Sequence, residues 1–98
     1  MAQVLIIDDD KGMCVMLSSM VNSMNHHAAC AYTLKDGLKM AVSESFDVVF
    51  LDVNMPDGNG LALWPELRKA PSSPEVITMT GAGNPDGAEM VRKVLDQA

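Results

Sequence analysis

The chain has 98 residues, of which 48% are hydrophobic and 20% are charged, and these values are typical of one globular domain. The formal net charge of −6 argues against a direct nucleic-acid partner, which requires a basic face, but is compatible with binding of a divalent cation. The N-terminus lacks the features of a signal peptide, and no apolar run approaches the ~20 residues of a membrane span. We therefore expect one domain, residues 1–98, located in the cytoplasm.

The first predicted strand is the apolar run 4–7, which ends on three consecutive acids, Asp8, Asp9 and Asp10. Asp10 is a good N-cap for a helix over residues 11–24. Apolar side chains at spacings of three and four predict one buried stripe along this helix. The stripe consists of Met13, Leu17, Met20 and Met24.

A short Ala-rich strand at 28–32 and a second helix from 34 to about 45 follow. Asn25 can end the first helix in the left-handed conformation. Thr33 and Asp36 have the spacing of a capping box, with Asp in place of Glu. Gly37 weakens the second helix by up to about 1 kcal/mol relative to Ala.

The two cysteines, Cys14 and Cys30, lack Cys-x-x-Cys spacing and fall within apolar patterns. Reduced thiols in the core are therefore expected. A zinc site that combines them with His26 and His27 is an alternative, although structural zinc sites usually have tighter paired spacings.

The most informative stretch is 46–60, Phe-Asp-Val-Val-Phe-Leu-Asp-Val-Asn-Met-Pro-Asp-Gly-Asn-Gly. Its uninterrupted apolar run predicts a strand that is buried on both faces, as in a parallel sheet. The strand ends at Asp52, which places a carboxylate at the edge where open α/β folds bind ligands. We interpret the segment 55–58 as a turn rather than as a contact surface.

A third helix is predicted over 60–69, and Pro65 should either kink it or delay its start. A loop with two prolines leads to a fourth strand at 75–79, which ends at Thr80. Asn84, Pro85 and Asp86 then have the pattern of a helix start.

The order β-α-β-α-β-α-β-α predicts an α/β fold with a doubly wound parallel sheet. A flavodoxin-like strand order 2-1-3-4 places the first and third strands side by side at the topological switch point. Asp8, Asp9 and Asp52 would then share one crevice, and Thr80 would lie on the next strand.

Clustered carboxylates repel one another, so at least one of them should have a raised pKa. A hard divalent cation such as Mg²⁺ removes this conflict, because it prefers carboxylate, water and phosphate oxygens. A carboxylate beside bound Mg²⁺ can attack phosphorus and form an aspartyl phosphate, while the metal neutralises charge on the phosphoryl group.

Three segments, 4–10, 47–60 and 76–81, resemble the receiver domain of two-component response regulators in their order and spacing. The resemblance implies that Asp52 accepts phosphate from a histidine kinase or a phosphotransfer protein. It also implies that Asp9, Asp52 and the backbone carbonyl of Asn54 ligate Mg²⁺, with Asp8 acting through water. Thr80 would be the switch hydroxyl.

The same resemblance implies a signalling module, not an enzyme, whose output domain lies outside this chain. The run 80–87 further resembles receivers of sigma-54-dependent transcription activators, so the expected output is transcription.

Receivers also have a fifth strand and helix, with an aromatic switch residue before that strand and a lysine after it. The 98 residues end before these positions, and neither Arg92 nor Lys93 takes the role of the lysine by motif. We therefore expect either a fragment of a longer chain or a homodimer or element swap that covers the edge of the fourth strand.

Three other functions remain open at this point. Gly81, Gly83 and Gly87 follow a strand, as in a nucleotide-binding enzyme, but their spacing departs from the dinucleotide-binding pattern. An Mg²⁺-dependent aspartate-nucleophile phosphohydrolase usually has a second acid two residues after the nucleophile, where this chain has Asn54. The third alternative is a pseudo-receiver that only docks partners.

Overall fold

The computed structural model describes residues 1–79 and 85–97, and the side chains of all of these except residues 85–87. Six strands and four helices lie in these ranges. In chain order they are β1 (Gln3–Ile7), α1 (Lys11–Ser23), β2 (His27–Ala31), α2 (Leu34–Ser43), β3 (Val48–Asp52), β4 (Asn54–Met55), β5 (Gly58–Asn59), α3 (Gly60–Arg68), β6 (Glu75–Met79) and α4 (Pro85–Asp96).

The four longer strands form one parallel sheet in the order β2-β1-β3-β6. This is the predicted order 2-1-3-4, with β6 as the fourth sheet strand, and it confirms the flavodoxin-like α/β fold. β4 and β5 form a separate two-stranded antiparallel hairpin, which was not predicted. In the described residues β6 pairs with β3 alone, so the expected coverage of its outer edge by a second copy or a swapped element stays a prediction.

The core lies on both faces of the sheet. Alternate β1 residues face opposite sides: Ile6 packs in the cluster with α1 and α4, and Ile7 packs in the cluster with α2 and α3. All five residues of β3 are buried, as the uninterrupted apolar run predicts. β3 is one of the two interior strands, and its last residue, Asp52, is buried with the rest of the strand.

The helix caps at Asp10, Asn25 and Thr33 lie where the sequence predicts them. Asp10 accepts a hydrogen bond from the Met13 N–H at 3.1 Å, and Thr33 accepts one from the Asp36 N–H at 3.1 Å. Asn25 has the left-handed conformation, with φ of 66°. Asn59 caps α3, which begins at Gly60 and contains Pro65, so of the two expected effects of this proline the delayed start does not occur, and the kink stays a prediction.

No helix in the described ranges combines the length and the apolar character that a bilayer crossing needs.

Gly37 is required where α2 packs on β1. A Cβ at this position would lie 2.5 Å from Cδ1 and 2.8 Å from Cγ1 of Ile7, a side chain that is completely buried. We expect Gly37→Ala to lower the free energy of unfolding by about 1–2 kcal/mol, because an overpacking cost of about 1–3 kcal/mol exceeds the gain in helix propensity. Urea denaturation measures this, and Lys39→Ala, at an exposed site of the same helix, is the control. A stabilised Gly37→Ala variant would contradict the packing explanation.

Candidate functional site

Three carboxylates meet at the carboxyl edge of the sheet. Asp8 follows β1 and Asp52 is the last residue of β3, and these strands are neighbours. One carboxylate oxygen from each of Asp8, Asp9 and Asp52 lies within 4.8 Å of the others. The structure therefore brings together the three acids that the switch-point argument predicts to converge.

Asp52 is 3% exposed, and its two oxygens have different surroundings. Oδ1 accepts a hydrogen bond from the Asn54 N–H at 3.3 Å, whereas no group in the described ranges donates to the buried Oδ2. Burial raises the pKa of Asp52, the Asn54 N–H opposes this shift, and the charge of Asp9 adds to it. A buried carboxylate oxygen without a donor is costly unless a cation or a polar partner satisfies it.

Asp8 is equally enclosed, with 2% of its surface exposed. Its Oδ1 accepts a hydrogen bond from the Asp10 N–H at 2.9 Å. Burial raises the pKa of Asp8 to about 6 against the effect of that hydrogen bond, and the charges of Asp52, Asp9 and Asp10 contribute in the same direction as burial. The pKa shifts of Asp8 and Asp52 have the sign expected of an acidic cluster that favours protons or a cation.

The raised pKa of Asp8 predicts a pH dependence of stability. The folded state retains a proton on Asp8 up to about pH 6, while the unfolded chain releases it near the ordinary value of 3.8. Since the folded state binds more protons in this window, the free energy of unfolding should fall by up to about 3 kcal/mol as pH rises through it. Metal-free urea denaturation at several pH values measures the slope. Asp8→Asn should flatten it, the exposed Glu66→Gln should not, and equal slopes in both variants would contradict the assignment to Asp8.

The other predicted site residues either are exposed at the edge of the acidic cluster or lie outside the described residues. Asp9 is exposed at the rim of the cluster, and Asn54 is exposed in β4, with its N–H directed to Asp52. Thr80, the expected switch hydroxyl, lies outside the described residues, as do Gly81 and Gly83 of the glycine-rich alternative.

Asp57 makes a contact that the sequence did not predict. Its Oδ1 accepts from the Leu34 N–H at 2.9 Å and its Oδ2 from the Lys35 N–H at 3.1 Å. These two hydrogen bonds lower the pKa of Asp57, an effect expected of a carboxylate at a helix N-terminus. The segment 55–58 does form the predicted turn, with residues 56–57 between β4 and β5, and in addition this turn anchors the start of α2.

Gly60 lies against the backbone of Asp52. Its N–H donates to the Val53 carbonyl at 2.7 Å, and a Cβ on Gly60 would collide with the Asp52 carbonyl oxygen. Only glycine allows the start of α3 to approach the end of β3 so closely. The backbone of Asp52 is thus fixed by the loop that follows it.

The proposed cysteine and histidine zinc site is not assembled. The acids Asp8, Asp9 and Asp52 are the one group of potential ligands in the described ranges whose atoms converge closely enough for a single ion. His26 Nδ1 already accepts the Ala2 N–H at 2.8 Å. Both cysteines are free, as expected.

The comparison with protein families agrees with the geometry. A family model described as response regulator receiver domain matches residues 4–97. The chain belongs to this family. The motif resemblance is therefore confirmed, and the chain is a receiver domain of the two-component type.

Individual relatives support the same assignment. The response regulator ArlR of Staphylococcus aureus is 31% identical over 77 residues, which cover 79% of this chain and 35% of ArlR. The chain thus spans about a third of the length of the curated relatives it matches.

Two solved structures share the fold. A CheY-like receiver domain protein from Methanospirillum hungatei superposes with a TM-score of 0.82 at 19% identity, over 99% of this chain and 95% of that one. The response regulator TrrA from Thermotoga maritima, solved in complex with Mg²⁺ and BeF, gives a TM-score of 0.76 at 24% identity, over 93% and 81% of the two chains. At these identities the likeness concerns the fold.

Proposed function

We propose that this receiver is a phosphoacceptor module and that Asp52 takes a phosphoryl group from a histidine kinase or phosphotransfer protein in an Mg²⁺-dependent step. The observation that carries this is the buried Asp52 carboxylate, whose Oδ2 has no donor in the described ranges and lies in a cluster with Asp8 and Asp9. The resemblance of the surrounding motifs and the Mg²⁺ and BeF complex of TrrA support it.

The donor set fits Mg²⁺, because it consists of carboxylate oxygens that repel one another without a cation. Asp9 and Asp52 would hold the ion directly, together with the Asn54 carbonyl, and Asp8 would act through water. When bound, the metal would neutralise negative charge on the phosphoryl group during its transfer.

In the proposed transfer, one Asp52 carboxylate oxygen forms a bond to phosphorus while the phosphorus–nitrogen bond of the donor histidine breaks. The electron pair of the broken bond returns to the histidine nitrogen, so no water is consumed. Burial of Asp52 limits access of water to the new acyl phosphate. Thr80 would then respond to the phosphoryl group and regulate an output, which we propose to be transcription, through a domain outside residues 1–98 in the cytoplasm.

The test is intact-mass spectrometry of the chain after incubation with acetyl phosphate, with and without Mg²⁺. We expect one phosphoryl group per chain, only with Mg²⁺, and slow loss of the label after the donor is removed. Continuous release of phosphate from a phosphomonoester would instead support the phosphohydrolase. Mg²⁺ binding without any labelling would overturn phosphoacceptance and favour a docking pseudo-receiver.

A further inference from the structure

The side chains of Cys14 on α1 and Cys30 on β2 are neighbours, beside the acidic cluster. The Cys30 sulfur lies 3.8 Å from the Cys14 carbonyl oxygen and 3.2 Å from the Ser18 hydroxyl. The Cys14 sulfur donates to the Asp8 carbonyl at 3.4 Å. The two cysteines are 16 residues apart in sequence but lie on elements that pack directly against each other.

The two thiols differ in access to solvent. Cys14 is 1% exposed, whereas Cys30 is half-buried, and both line an open surface cleft of about 420 Å³. A hydrogen bond from the Cys14 thiol, made in place of the one it donates to the Asp8 carbonyl, and then one from the Ser18 hydroxyl lower the pKa of the Cys30 thiol, and burial opposes this shift. An accessible, acidic thiol beside a buried second thiol is the arrangement expected of a redox-sensitive cysteine with its resolving partner.

We propose that Cys30 and Cys14 form a reversible, peroxide-sensitive thiol pair in which Cys30 reacts first and Cys14 resolves it. The Cys30 thiolate sulfur attacks one oxygen of hydrogen peroxide, the oxygen–oxygen bond breaks, and the released hydroxide takes a proton to become water. Cys30 is now a sulfenic acid, oxidised by two electrons. The Cys14 sulfur then attacks the Cys30 sulfur and loses its proton to the departing hydroxyl, which leaves one disulfide and a second water.

This pair is independent of phosphoryl transfer, yet it adjoins the site. Disulfide formation removes the S–H that donates to the Asp8 carbonyl and joins α1 covalently to β2. Free thiols remain the resting state, and reduction by a dithiol restores it.

The test uses the full chain, fully reduced and then exposed to hydrogen peroxide at pH 7. We expect a monomeric product with an internal disulfide that dithiothreitol reverses, detected by mass spectrometry and non-reducing electrophoresis. An ordinary thiol is only a few per cent ionised at this pH, whereas the lowered pKa of Cys30 leaves a larger fraction of it as the reactive thiolate. Cys30 should therefore react about tenfold faster than free cysteine. Cys14→Ala should stop at a Cys30 sulfenic acid that dimedone traps, and Cys30→Ala should leave Cys14 unreactive.

Two serines that line the same cleft provide a matched pair of variants. Ser18→Ala removes the hydroxyl that contacts the Cys30 sulfur and should slow its oxidation several-fold, whereas the exposed Ser19→Ala should not change it. Disulfides formed only between chains, oxidation of Cys30 no faster than that of free cysteine, or equal rates in the two serine variants would each overturn the proposal.

Discussion

Asp52→Asn is expected to abolish phosphoryl labelling by acetyl phosphate and, in the absence of Mg²⁺, to stabilise the fold. The amide lacks the nucleophilic carboxylate, so no acyl phosphate can form. The substitution also removes a buried carboxylate whose pKa is raised by burial and whose Oδ2 has no donor in the described ranges. The free energy of unfolding at neutral pH should therefore rise by about 1–2 kcal/mol. Intact-mass spectrometry and urea denaturation measure the two effects.

Asp57→Asn is the matched control, because Asp57 lies five residues after Asp52, in the turn between β4 and β5, and contacts α2 instead of the acidic cluster. It should retain labelling and lose stability, since one charged acceptor at the helix start is removed. Labelling that survives Asp52→Asn would refute the phosphoacceptor assignment. A loss of stability in Asp52→Asn would show instead that the carboxylate is satisfied in the folded state.

The sheet was predictable because its signals are local and strong. β3 has an uninterrupted apolar run, and a strand of this kind requires cover on both faces, which the alternating helices provide. β1 repeats the pattern and is followed by acids, and the flavodoxin-like strand order expected for this alternation then placed the switch point between β1 and β3. The two-residue strands β4 and β5 were missed because periodicity cannot identify segments so short.

The convergence of Asp8, Asp9 and Asp52 was predictable for the same reason, since strand ends determine where they lie. The contact between Asp57 and the start of α2 could not be predicted. An Asp-Gly pair is already accounted for by a turn, and 23 residues separate Asp57 from Leu34. The one available signal was the charge of Asp57, because the free N–H groups at a helix start favour a nearby carboxylate.

The proximity of Cys14 and Cys30 could not be predicted from the sequence either. Apolar spacing indicates which face of α1 is buried, but not how far the helix is displaced along or across β2. That lateral position decides whether two core thiols merely share a face or contact each other. In this fold the contact with Ser18 and Cys14 gives Cys30 its distinct environment.

Gly60→Ala is the second variant with a large expected effect, because it disturbs the fold and the site together. The added Cβ would meet the Asp52 carbonyl oxygen and lie 3.2 Å from both the Asp52 carbonyl carbon and Leu51 Cγ. A backbone group in a central strand cannot move aside as a flexible side chain can, so we expect a loss of about 2–3 kcal/mol in the free energy of unfolding. Any relief must displace Asp52, and small displacements of a reacting group cost large factors in rate. Labelling by acetyl phosphate should therefore slow more than tenfold at a temperature where the variant is folded.

Leu61→Ala is the control for Gly60→Ala, since it alters the next residue of α3 at a side chain that is 54% exposed. It should leave both the labelling rate and the unfolding midpoint nearly unchanged. Circular dichroism establishes that each variant is folded before its labelling is measured. A folded Gly60→Ala protein that is labelled at the unaltered rate would show that phosphorylation of Asp52 does not depend on the backbone position at the start of α3. The close approach of Gly60 would then serve packing alone.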